Sequence, residues 1–227
     1  RDQAFKDTIK QYGREFTESF YTYTTVINHL NGDGENSLWI NEINSVKYSY
    51  DSNLLKSRMA TLVIDSLVDI PIGTKIRYRQ ALKVNNLNEN MYIGIFYVNK
   101  VEQQKDKKNY LVTCYDSMIK TMVDYTTPIV NGNAITYPIT IRNYLSAICS
   151  HLGITFASSG DTFTNYDKEI TSEHYLDSDG NSLGYTFRDV LDDLAECIGG
   201  FIIINPSDEL EIKYISQAVG TKNIFIS

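Results

Sequence analysis

Residues 186–215 read TFRDVLDDLAECIGGFIIINPSDELEIKYI, and their pattern sets the architecture of the second half of the chain. Thr186 with Asp189 has the [ST]-x-x-[DE] form of a helix start. Phe187, Val190, Leu191, Leu194 and Ile198 then recur at helical spacing on one face, with Asp192, Asp193 and Glu196 mostly off it. Gly199-Gly200 ends the helix, because glycine accepts the left-handed residue that closes a last turn. Phe201–Ile204 is a short, apolar, β-branched run and reads as a buried strand. Asn205-Pro206-Ser207-Asp208 is a turn, and Leu210, Ile212 and Tyr214 alternate with Glu211 and Lys213 as a half-exposed strand. The unit is helix, tight stop, hairpin.

A weaker copy of its first half lies upstream. TIRNYLSAICSHLG, starting at Thr140, aligns with TFRDVLDDLAECIG through Thr140/Thr186, Arg142/Arg188, Leu145/Leu191 and Gly153/Gly199. Ile148/Leu194 and Leu152/Ile198 match in kind. Two helices of one design, each leading into strand-like sequence, predict a small α+β module. Duplication and a shared capping geometry both account for the match.

The first half has the other period. Val46, Tyr48 and Tyr50 alternate, Met59 to Ile64 is strand-like, and Ile76, Tyr78 and Gln80 alternate against Arg77 and Arg79. Met91–Val98 and Tyr110–Tyr115 form the clearest hairpin, with a charged tip at residues 100–109, and 85–90 reads as a polar loop. Asn31-Gly32-Asp33-Gly34 and Pro71-Ile72-Gly73 are turns. Phe5, Ile9 and Tyr12 fit a helical turn, and Tyr115 to Val123 a short helix. The expectation is a β meander forming a tube-like barrel or sandwich over 1–127, followed by an α+β module over 128–227. The segment from Thr126 to Tyr137 is the linker candidate, and residues 157–184 are a long polar excursion between the two helices.

Composition narrows the function classes. The 227 residues are 42% hydrophobic and 22% charged, which supports a packed core. No apolar run reaches the roughly 18 residues of a membrane span. A net charge of −7 argues against wrapping nucleic acid with a basic face. Cys114, Cys149 and Cys197 show no metal spacing and each sits in an apolar pattern, so all three are expected as buried free thiols.

Several constellations point weakly to chemistry. His29, His151 and His174 share no metal-type spacing; His174 beside Glu173 and Asp177 is the one in a carboxylate-rich loop. Asp177-Ser178-Asp179-Gly180-Asn181 opens like a calcium loop, but Ser182 and Arg188 stand where glycine and a bidentate glutamate are required. Asp192, Asp193 and Glu196 resemble a paired-carboxylate site, yet neighbours on one helix point apart and read as a solvated face. Lys100, Lys105, Lys107 and Lys108 make a charged tip that keeps a hairpin from pairing elsewhere. No nucleophile elbow, P-loop or dinucleotide fingerprint occurs. Neither a catalytic residue, a cofactor nor a metal ligand is assigned, and the expectation is a protein that is not an enzyme. The alternative is a carbohydrate-binding or host-recognition module, with Tyr-rich stretches at 21–25 or 166–175 as its groove.

Three stretches together resemble one family. MYIGIFYVNKVEQQKDKKNYLVTCYDSMIK (91–120) is similar to a segment of phage tail-tip proteins, with Gly94, Phe96, Val98, Tyr115, Asp116 and Met118 at the matching places. Tyr137-Pro138 leading into the helix of Leu145 is the second stretch. The third is 186–215, with Thr186, Arg188, Leu191, Ala195, Gly199, Gly200, Phe201 and Leu210 in register and Glu209 where a turn glycine is usual. The chain thereby resembles the baseplate-hub or tail-tip proteins of tailed phages, which include the N-terminal part of tail-associated lysins and prophage minor tail proteins. The resemblance implies a virion tail location, after assembly in the host cytoplasm, and a homotrimer that caps the tail tube. It implies partners on both sides: the tube or distal tail protein, and a spike, fibre or lytic module. DNA is expected only as passing cargo, and the net charge of −7 permits an acidic lumen that would hold it off the wall. The family's second tube-like domain is expected to be missing from or truncated in these 227 residues, with the native protein either continuing beyond them or being an abridged hub.

Overall fold

The computed structural model describes residues 23–30, 37–39, 43–51, 55–84, 87–104 and 108–214. The expected helical turn at Phe5–Tyr12, the turn at 31–34, the lysine tip at 105–107 and everything after Tyr214 lie outside them. The chain forms two compact units. Among the described residues both carry antiparallel sheet, and two α-helices fall in the second, so the class is α+β with strand predominating.

Among the described residues the first unit is one seven-stranded antiparallel sheet. Its strands are β1 (Tyr23–Leu30), β2 (Ser37–Trp39), β3 (Ile43–Tyr50), β4 (Ala60–Ser66), β5 (Lys75–Val84), β6 (Leu87–Gln103) and β7 (Tyr110–Tyr115). They lie in the order β2-β1-β5-β6-β7-β4-β3. The expected meander is thus corrected: hairpins form locally, but β1 pairs with β5 and β4 with β7. The polar loop expected at 85–90 is shorter, because β6 already begins at Leu87 and pairs with Val84. Lys100 is likewise still inside β6, paired with Thr113. The short helix expected from Tyr115 is a single 3-10 turn, Ser117–Thr121.

Alternation dictates the core. Ala60, Leu62, Ile64, Ile76, Tyr78, Phe96, Val98, Val112 and Cys114 are buried together, every second residue of their strands. Among the described residues β2 and β3 are the edges of the sheet, and no ladder closes it into a barrel. It is nevertheless bent. Tyr48 on β3 places its ring 6.1 Å from Phe96 on β6 and 6.5 Å from Tyr78 on β5. In a flat sheet, three strand steps alone would separate β3 from β6 by about 14 Å. Bulges between Ile43 and Ser45, Tyr78 and Arg79, and Val98 and Lys100 supply bends of the kind required.

The second unit contains β8 (Ile129–Val130), β9 (Asn133–Ala134), β10 (Ile139–Thr140), α1 (Ile141–His151), β11 (Thr155–Phe156), β12 (Glu169–Ile170), α2 (Phe187–Ile198), β13 (Phe201–Ile204) and β14 (Glu209–Lys213). It begins at Met122 and takes in Ser52–Arg58, while Ile204–Glu209 group with the first unit. The boundary read from sequence at 127/128 is contiguous, and this division is not.

The two helices follow the repeat residue by residue. Thr140 and Thr186 are both N-caps, accepting the amide of Asn143 and of Asp189. Leu145 and Leu191 are both fully buried. Gly153 and Gly199 both take left-handed φ, +62° and +71°. The strands that follow, β11 and β13, flank β14 on its two sides. Arg142 and Arg188, each second in its helix, both reach a distant backbone carbonyl, of Asp161 and of Ser57.

Candidate functional site

Helix α2 organises the most elaborate polar cluster. Its start is a complete capping box: Thr186 Oγ1 accepts the Asp189 amide at 3.3 Å, and Asp189 Oδ2 accepts the Thr186 amide at 2.7 Å. The Thr186 hydroxyl, then its backbone amide, holds the Asp189 carboxyl below the usual aspartate range. One turn on, Asp192 departs from the solvated face expected for it. Its Oδ1 accepts both the amide (2.8 Å) and the hydroxyl of Ser57. The Arg188 guanidinium donates to the Ser57 carbonyl and lies 3.8 Å from Asp192. Lys56 bridges to Glu196 at 3.0 Å and approaches Asp192 at 3.8 Å. Ser57 also pairs in parallel with Ile202, and the Arg58 guanidinium lies 3.9 Å above the Phe201 ring. These contacts bind the 55–58 segment to α2 and β13; Asp192 serves as a clasp, and Asp193 instead accepts the Tyr175 hydroxyl at 3.1 Å.

The other residues singled out in the sequence are also accounted for by packing. Gly94 is buried on β6 opposite Tyr78, and Phe96 lies in the core. Tyr115 ends β7, paired with Tyr97 and Thr61. Asp116 is buried and accepts the amides of Ala60 (2.9 Å) and Met118 (3.0 Å), joining β4 to the 3-10 turn. Gly200 has no room for a side chain: a Cβ there would meet the Lys213 carbonyl oxygen at 2.8 Å. His151 accepts the Ile129 amide through Nδ1 at 3.2 Å and lies 5.3 Å from the Phe187 ring. His174 is exposed on the loop; its amide donates to Glu173. Among the described residues no three His, Cys, Asp or Glu come together as a metal site. Burial pushes the Cys114 and Cys149 thiols up to about 12. Cys197 departs from expectation: it is exposed, one position off the apolar stripe of α2.

Sequence reasoning missed a buried tyrosine network. The hydroxyls of Tyr125 and Tyr144 are 2.7 Å apart, and those of Tyr125 and Tyr137 donate to Glu173 Oε2 at 3.0 and 2.7 Å. The other Glu173 oxygen accepts the amides of His174 and Tyr175. Burial is the main cause that raises all three hydroxyls, Tyr137 to about 12. Its members, three tyrosines and a glutamate, stand in loops or on α1 with no common spacing to mark them in the sequence. Of the two stretches proposed for a saccharide groove, the side chains of 21–25 lie outside the described residues, and rings of 166–175 are engaged internally. Tyr166 lies under the Arg142 guanidinium at 4.3 Å, and Tyr175 packs 5.3 Å from Tyr125. An open cleft of about 440 Å³ does exist beside α1, lined by Val130, Ile135, Pro138, Asn143 and Glu169 among others. Among the described residues that line it Glu169 is the one acidic residue, so they offer no carboxylate pair.

Comparison with known proteins places this fold. No protein-family model matches the chain, and no curated protein matches it. Among solved structures it is similar to the 43 kDa tail protein of prophage MuSo2 from Shewanella oneidensis, with a TM-score of 0.51 over 86% of this chain and 54% of that one. At 13% identity the likeness is one of fold. The chain spans about half the length of that tail protein.

Proposed function

We propose that the chain is a structural component of a phage or prophage-derived tail, and within it part of the baseplate hub at the tail tip. The observation that carries this reading is the likeness of fold, across 86% of the chain, to a prophage tail protein. The three tail-tip-like stretches add to it, because their residues are helix caps, buried strand positions and tight turns, the parts of a sequence that a fold constrains. The protein works by shape, as a homotrimer that joins the tail tube or distal tail protein to a spike, fibre or lytic module while DNA passes through. Its carboxylates support a structural role: Asp189 caps a helix, Asp116 and Asp192 hold backbone amides, and Glu173 anchors tyrosines. Immunogold labelling of purified particles, with antibody raised to this chain, tests the reading. Label at the tail tip and a trimeric mass for the full-length protein are expected; label on the capsid, or particles lacking the protein, would end it.

A further inference from the structure

The second unit carries a small apolar surface that no contact described so far uses. Segments 122–125 and 185–187 run antiparallel through the Asp124–Thr186 bridge. The Tyr125 amide donates to the Tyr185 carbonyl at 2.8 Å, and the Phe187 amide to the Val123 carbonyl at 3.1 Å. Residues opposite each other in such a pair share a face. Val123 and Tyr185 therefore lie on the same face as Tyr125 and Phe187. The latter two are buried, whereas Val123 is 51% and Tyr185 42% exposed. The surface continues to Leu183, 55% exposed, whose amide donates to the Tyr175 carbonyl at 3.0 Å, and the Tyr175 ring packs 5.5 Å from Tyr185.

Its surroundings are acidic. Asp177, Asp179 and Asp193 are exposed on the hairpin that pairs Tyr175 with Leu183 or on the element that Tyr175 touches, whereas Asp124 alternates to the other face. No Lys or Arg occurs between Lys168 and Arg188. Exposed apolar residues ringed by polar ones mark interaction sites. We propose that Val123, Leu183 and Tyr185 form a docking surface for a polypeptide segment that presents an apolar side chain flanked by Lys or Arg. The charge excludes the other classes. Phosphate of nucleic acid and anionic lipid are repelled. A second copy meeting this patch about a two-fold axis would set the same aspartates against each other. This inference stands apart from the tail reading, since it uses only the surface chemistry of the second unit.

The test uses the whole chain and three fluorescent synthetic peptides of equal length, alternating Leu with Lys, Ser with Lys, and Leu with Glu. Anisotropy titration is expected to show the Leu–Lys peptide binding at least about tenfold tighter than either other, a difference well above titration error. Leu183→Asp and Tyr185→Ser, both at exposed positions, are expected to weaken it by about tenfold, whereas Ile72→Asp on the first unit leaves it unchanged. Thermal melts confirm that each variant is folded. Equal binding of the Ser–Lys peptide, preference for the Leu–Glu peptide, no binding of any, or indifference to Leu183→Asp and Tyr185→Ser would each overturn the proposal. So would self-association of the chain that those two variants abolish.

Discussion

Asp116 joins β4 to the 3-10 turn through two accepted amide hydrogen bonds in a site closed to solvent. Removing its carboxyl strands two buried donors, and each unsatisfied buried donor costs about 1–3 kcal/mol. Asp116→Ala is therefore expected to lower unfolding stability by about 2–4 kcal/mol in urea titration, with Asp116→Asn less damaging because one acceptor oxygen survives. Gly200 is constrained by space rather than by backbone angle. A methyl group there collides with the Lys213 carbonyl, part of a strand that cannot swing away, so Gly200→Ala is expected to cost about 1–3 kcal/mol. The control is Gly160→Ala, where a Cβ meets nothing within 4 Å and the change in melting temperature is expected to be small. The tyrosine network gives an alkaline signature. Burial raises the Tyr125, Tyr137 and Tyr144 hydroxyls in the folded state, so their contribution to stability is complete below the ordinary tyrosine pKa of about 10 and is lost as pH rises above it. Ultraviolet titration is expected to show these phenols ionising only together with unfolding, and Tyr144→Phe to change that step.

At the scale of the element, α2 depends on its first turn. The capping box satisfies amides that a helix start leaves without partners, and Thr186→Ala is expected to destabilise by about 1 kcal/mol. Asp189 adds an acid dependence. Its carboxyl is depressed in the folded state, chiefly by the Thr186 hydroxyl, so the stability it confers is present above the unfolded aspartate pKa of about 3.9. That stability is lost as pH falls through the lower, folded value. Melting temperature is therefore expected to fall on acidification below about pH 4 in the parent, and the fall to be shallower in Asp189→Asn. Arg188 and Asp192 meet at Ser57 as one group, so a double-mutant cycle between Arg188→Ala and Asp192→Ala is expected to return a coupling well above additivity error, about 0.5 kcal/mol or more. Additive effects would show that the clasp is two independent contacts.

Over the whole molecule, the polypeptide does not divide into two consecutive pieces. Residues 122–227 alone lack Ser57, which supplies the partner of Arg188 and Asp192. Residues 1–121 alone lack Asp208, which within the first unit accepts the Tyr97 hydroxyl at 2.6 Å and faces Lys75 at 3.5 Å. Either fragment is therefore expected to melt below the intact chain, or to give a poorly dispersed amide spectrum, despite a cut at the apparent boundary. A fragment 122–227 as stable as the parent would contradict this.

What the sequence determined alone are the features whose causes are local. The helix of 187–198, its Thr186 cap and its glycine stop follow from spacing and capping chemistry within about fifteen residues. The same holds for the matching design of the helix after Thr140, and for the alternation that buries Leu62, Ile64 and Val112. Only the tertiary structure decided what depends on partners far along the chain. The pairing of β1 with β5 and β4 with β7 spans residues whose periodicity fits many registers. Asp192 reads as a solvated carboxylate until Ser57, 135 residues earlier, is brought beneath it. Tyr125, Tyr137, Tyr144 and Glu173 carry no common spacing and become one network because four separate segments converge. Periodicity and capping act within a turn or a strand, whereas hydrogen-bond partners are chosen by packing, and packing is a property of the folded chain.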